Sequence, residues 1–69
     1  MYNIYFYRFG EDIPYHAILC VGKDRAKAIQ TARDRKAKLG ERTDYFEVCE
    51  GDQVVYHSIF GAYDDPRLP

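Results

Sequence analysis

Side-chain character changes period twice along this chain. Residues 2–9 (YNIYFYRF) are aromatic with one Ile, which is strand composition, and alternate side chains of a strand point to opposite faces. GEDIP, 10–14, reads as a turn, because Gly10 frees the backbone and Pro14 has no N–H to give to a ladder. YHAILCV, 15–21, then reads as a second strand. From Asp24 the period becomes helical. Asp24 is a natural N-cap, 25–39 holds good helix formers and no proline, and Gly40 follows basic Lys36 and Lys38 as a C-cap. TDYFEVCE (43–50) and QVVYHSIF (53–60) read as two further strands. Gly51-Asp52 between them suits a two-residue type II′ turn, which wants glycine first.

That turn sets an expected register: Glu50 opposite Gln53, Cys49 opposite Val54, Val48 opposite Val55, Glu47 opposite Tyr56 and Phe46 opposite His57. One face of the hairpin would then carry Phe46, Val48, Val55, His57 and Ile59. The other would carry Tyr45, Glu47, Cys49, Val54, Tyr56 and Ser58. The predicted fold class is α+β, in the order ββαββ, with one helix on one face of a four-stranded, mainly antiparallel sheet. The helix would turn Ile29, Ala32 and Leu39 inward, flanked by Ala26 and Ala28, with Arg25 and Lys36 snorkelling at the edges. Asp34 and Lys38 form an i,i+4 pair. In the first strand Ile4 and Phe6 would face the helix, and Asn3, Tyr5, Tyr7 and Phe9 would face away. In the second, Ala17, Leu19 and Val21 would point in, and His16, Ile18 and Cys20 out. Residues 1–63 make a single domain, and 64–69 (DDPRLP) a short tail.

A lone helix covers only one side of such a sheet. Tyr5, Tyr7, Tyr45 and Tyr56 would therefore form an open aromatic face with Glu47 among them, larger than most monomers leave bare. Tyrosine is enriched where proteins meet, so the expected occupant is a protein, either a foreign partner or a second copy closing a C2 dimer.

Charge is sorted along the chain. The net charge is −1, which gives no global pull toward nucleic acid. Residues 23–42 nevertheless hold eight basic and three acidic groups, and the remainder two basic and eight acidic. A basic helix over 24–39, led by Arg33, Arg35 and Lys38, is the alternative functional surface, for a nucleic-acid backbone. A solvated helix face is the plainer reading of the same charges.

The sequence carries no GxGxxG, Walker loop, HExxH or CxxC motif, so no cofactor and no enzymatic activity are expected. His16, Cys20, Cys49 and His57 are a formal zinc set, but the expected register puts Cys49 and His57 on opposite faces, and no metal site is expected. A small ribonuclease built on His57 or His16 is the remaining catalytic alternative. The two cysteines and the absence of a signal-type opening segment suggest free thiols and a cytoplasmic setting. The longest apolar run, Ala17 to Val21, is too short to span a membrane.

The strand-to-helix step ILCVGKDRAKAIQTAR, followed by the hairpin YFEVCEGDQVVYHSIF, resembles the layout of very small phage-encoded anti-CRISPR proteins acting on type I surveillance complexes. The likeness covers residues 15–60 and assigns no residue a role. It implies a non-enzymatic inhibitor in the host cytoplasm that binds a Cas subunit and blocks DNA recognition or nuclease recruitment.

Overall fold

The computed structural model describes residues 1–62; Tyr63, expected to close the domain, and the 64–69 tail lie outside the described residues. Five strands and one helix follow in order: β1 (Tyr2–Tyr7), β2 (His16–Ile18), α1 (Arg25–Leu39), β3 (Tyr45–Glu50), β4 (Gln53–His57) and β5 (Gly61–Ala62). A 3-10 turn over Gly40–Arg42 follows α1. The strands form one antiparallel sheet in the order β2-β1-β3-β4-β5. The α+β class and the single helix agree with the sequence reading, but the sheet has a fifth strand. Ser58 to Phe60 form a turn instead of extending β4, and Gly61, at φ 86°, brings the chain back so that His57 faces Gly61 and Tyr56 faces Ala62.

Local chemistry explains α1. The Asp24 carboxylate accepts from the Lys27 N–H at 3.2 Å, closing the first turn, and the Gly40 N–H reaches the Lys36 carbonyl at the other end. Asp24→Ala should lower stability by about 1 kcal/mol, read as a shifted urea midpoint with an unchanged slope. Asp34 accepts from Gln30 at 3.0 Å, taking its partner one turn before instead of Lys38 one turn after.

The core lies between α1 and the centre of the sheet. Tyr2, Ile4 and Phe6 of β1 meet Phe46 and Val48 of β3, and Ala28 and Ala32 of α1 lie on them with no exposed surface. Those two methyl-sized side chains bring the helix axis close to the sheet, with Ile29 and Leu39 packing beside them. Ala26 is exposed and takes no part. The helix rests on β1 and β3. A helix is about 10 Å wide and strands lie about 4.8 Å apart, so two strands are what it can cover.

The inner and outer faces of β2 are the reverse of those expected. Ile4 pairs with Ile18 and Phe6 with His16, which places His16 and Ile18 on the helix side, and Ala17 lies opposite Tyr5 on the other. The register is set by the long 8–15 loop and by the Tyr15 N–H bonding the Phe6 carbonyl at 3.0 Å. Beyond Ile18 an extra residue is absorbed. Cys20 adopts φ 59°, its N–H is taken by Asn3 Oδ1 at 2.9 Å, and Val21 returns to pair with Tyr2. Val21 thus packs on the core as expected, whereas Leu19 is exposed.

The β3–β4 hairpin begins as expected. Gly51 is at φ 61°, and Glu50 faces Gln53 and Cys49 faces Val54. A β-bulge then intervenes, and Val48 faces Tyr56 and Glu47 faces His57. Val55 is the surplus residue. Everything after it changes face relative to the regular register.

Candidate functional site

The face of the sheet away from α1 has no element packed on it among the described residues. β1 places Tyr5 and Tyr7 there, and β3 places Tyr45, Glu47 and Cys49. Four of the five expected site residues are therefore neighbours: Tyr5 faces Glu47 directly, and Tyr7 faces Tyr45. The fifth, Tyr56, is not with them. The bulge turns it to the helix side, where its ring packs on Phe46 and its hydroxyl accepts from Arg33 at 3.1 Å. His57 takes its place on the open face.

The rings there form a stack across three strands. Tyr7 and Tyr45 lie 4.9 Å apart at 8°, and Tyr45 and His57 lie 4.9 Å apart at 14°. Phe60 continues the row at 4.6 Å from His57, and Phe9 leans on Tyr45 at 5.7 Å. Both planes of Tyr45 are thus used inside the protein. His57 is held by its own turn, Nδ1 accepting from the Ile59 and Phe60 N–H groups at 3.1 and 3.4 Å. Phe9 and Phe60 are 65% and 71% exposed and form the apolar rim of the face.

Glu47 is the electrostatic centre. Burial, then the Glu47 charge and its hydrogen bond, push the Tyr7 phenol up to about 12. Burial and the same carboxylate raise the Cys49 thiol, keeping it protonated and unreactive. Tyr45 is raised by desolvation, Glu47 and Asp12. No lysine or arginine among the described residues pairs with Glu47. Tyr7 should therefore ionise near pH 12, and Glu47→Gln should bring its midpoint down; ultraviolet absorbance of tyrosinate reads both. Its folded value exceeds the ordinary 10, so its contribution to stability is complete below pH 10 and fades as pH rises toward 12.

The residues of the nucleic-acid alternative do not converge. Arg33 and Arg35 stand two positions apart, roughly 200° around the axis. Arg33 goes toward β4 and Tyr56, Arg35 donates to Nε2 of His16 at 2.9 Å above β2, and Lys38 is exposed. His16 and His57 lie on opposite sides of the sheet. Cys49 and His57 share the open face, correcting the expected separation, yet no group of three or more His, Cys, Asp or Glu among the described residues is placed to hold a metal. No helix among them is long and apolar enough to cross a membrane.

Sequence reasoning placed His57 on the helix side and missed Phe60 and the cleft between α1 and β4. Val55 carries no mark of a bulge. Gly61 closing a three-residue turn is the one local sign that the chain doubles back. No family model matches this chain, and no curated protein or solved structure matches it either.

Proposed function

We propose that this chain is a non-enzymatic protein-binding domain that acts by occupancy, docking the face built from Tyr5, Tyr7, Tyr45 and Glu47 onto a basic surface of another protein. The observation that carries this reading is the half-buried Glu47 carboxylate among stacked rings, paired with no lysine or arginine among the described residues. A partner arginine or lysine would supply the missing charge, and Phe9 and Phe60 would supply apolar contact at the rim. A homodimer through this face would bring two Glu47 carboxylates together, which disfavours it. Stacking of nucleobases is disfavoured too, because Tyr45 is sandwiched and the central charge repels phosphate. Protein surfaces that hold nucleic acid are rich in the required cations. A Cas subunit of a type I surveillance complex, the cytoplasmic target implied by the anti-CRISPR-like layout, is a partner of this chemistry.

Cross-linked capture from native cells tests the reading in three chains: wild type, Glu47→Lys and Arg33→Gln. One protein should be retained by wild type and Arg33→Gln, with retention falling as salt rises. The Glu47→Lys chain should retain it at least about tenfold less, as expected for opposing a required charge. Equal retention by the Glu47→Lys chain, or a loss confined to Arg33→Gln, would overturn the proposal.

A further inference from the structure

We infer that the helix side of the molecule carries a second, separate site: a cleft for a phosphate monoester with a small apolar body. The fold produces this cleft. Because α1 rests mainly on β1 and β3, the helix side of β4 is roofed at Val55 but left open beyond it. The bulge brings Tyr56 to that side, and the turn after His57 sets Ser58 and Ile59 along the rim. The resulting space is about 310 Å³, the size of a small-ligand site.

Counting donors identifies the ligand class. Arg33 spends one N–H on the Tyr56 hydroxyl, so the rest of its guanidinium fork remains. Lys36, the second cation of the lining, is in no ion pair among the described residues. The Tyr56 hydroxyl accepts from Arg33, and Ser58 Oγ accepts from the Phe46 N–H at 3.0 Å, so each keeps its own proton to donate. The single carboxylate of the lining, Asp44, has Oδ2 engaged by the Phe9 N–H at 2.7 Å. Two cations and two free hydroxyl protons converge against one partly occupied acceptor. A dianion with three terminal oxygens uses such a set, and the arginine fork matches phosphate geometry. Phe46 and Ile59 complete the wall and give an ester's carbon body an apolar contact that inorganic phosphate cannot use.

The test is a heteronuclear NMR titration of the full chain with phenyl phosphate, inorganic phosphate and benzoate. Phenyl phosphate should give saturable shifts at the Ser58 and Ile59 amides and the Arg33 side chain, leaving Tyr5 and Tyr7 unmoved. Inorganic phosphate and benzoate should each bind several-fold more weakly. The double variant Arg33→Gln, Lys36→Gln alters exposed and half-exposed positions and should keep the wild-type circular dichroism. Its affinity should fall by at least about tenfold, the scale of lost charge-assisted bonds. If that variant fails to fold, Ser58→Ala, expected to weaken binding by a few-fold, decides in its place. Absence of saturable shifts, equal binding of all three anions, or unchanged affinity in the variants would each overturn the inference.

Discussion

Phe6→Ala should strip the chain of a large part of its folding stability. Phe6 has no exposed surface, sits at the centre of the sheet's helix side, and has Phe46 and His16 as ring neighbours at 6.1 and 5.5 Å. Removing a buried phenyl group costs about 3–5 kcal/mol, from lost transfer energy plus the cavity left behind. A 69-residue chain has a net stability of about 3–10 kcal/mol at the usual per-residue margin. One substitution thus removes a third of that margin at the least and all of it at the most. Far-ultraviolet circular dichroism with a urea series measures the effect. Phe9→Ala is the control: this ring is 65% exposed, and the unfolding free energy should change by no more than about 0.5 kcal/mol. A Phe6→Ala chain as stable as wild type would mean that the helix does not rest on this part of the sheet.

Deleting Val55 should preserve both faces of the sheet, where a deletion within a strand ordinarily exchanges them. Val55 is the residue by which β4 exceeds β3 between the Cys49–Val54 and Val48–Tyr56 pairs. Without it the ladder becomes regular, Tyr56 stays on the helix side of the sheet, and His57 stays beside Tyr45. What is lost is one side chain only 3% exposed, worth about 1.5–3 kcal/mol of burial. The chain should therefore be destabilised by about as much as by Val55→Ala, and the nuclear Overhauser contacts between the Tyr45 and His57 rings should persist. Loss of those contacts in a folded deletion variant would show that the bulge lies elsewhere.

The contrast between these two residues explains how much of the molecule could be read from its sequence. Phe6 and Ile4 were legible as core because β1 pairs with β3 without interruption, so simple alternation holds along both. For the same reason Tyr5, Tyr7, Tyr45 and Glu47 were legible as one surface. The helix was legible because its signals are local: Asp24 at its start, Gly40 at its end and no proline between. Alternation fails after any surplus residue, and there are two. Val55 exchanged Tyr56 and His57, removing one expected site residue and adding another. Cys20, in a left-handed conformation unusual for a side chain of its kind, restored Val21 to the core after Leu19 had left it. The reversed faces of β2 have a different origin. Its register comes from an eight-residue connection tied by Tyr15, Thr43 and Arg8, and such long-range ties leave no periodic trace in the sequence.

The two outermost strands have a consequence for behaviour at high concentration. Among the described residues β2 is three residues long and β5 two, so the unpaired backbone they present at either border is too brief to recruit an extended chain from a neighbour. The longer β1 and β3, with their aromatic and β-branched residues, have both flanks occupied within the sheet, and β4 leaves only its short opening stretch, Gln53 to Val55, without an outer partner among the described residues. Crowding should therefore not seed fibrils while the fold is intact, and amyloid-type growth should wait for global unfolding.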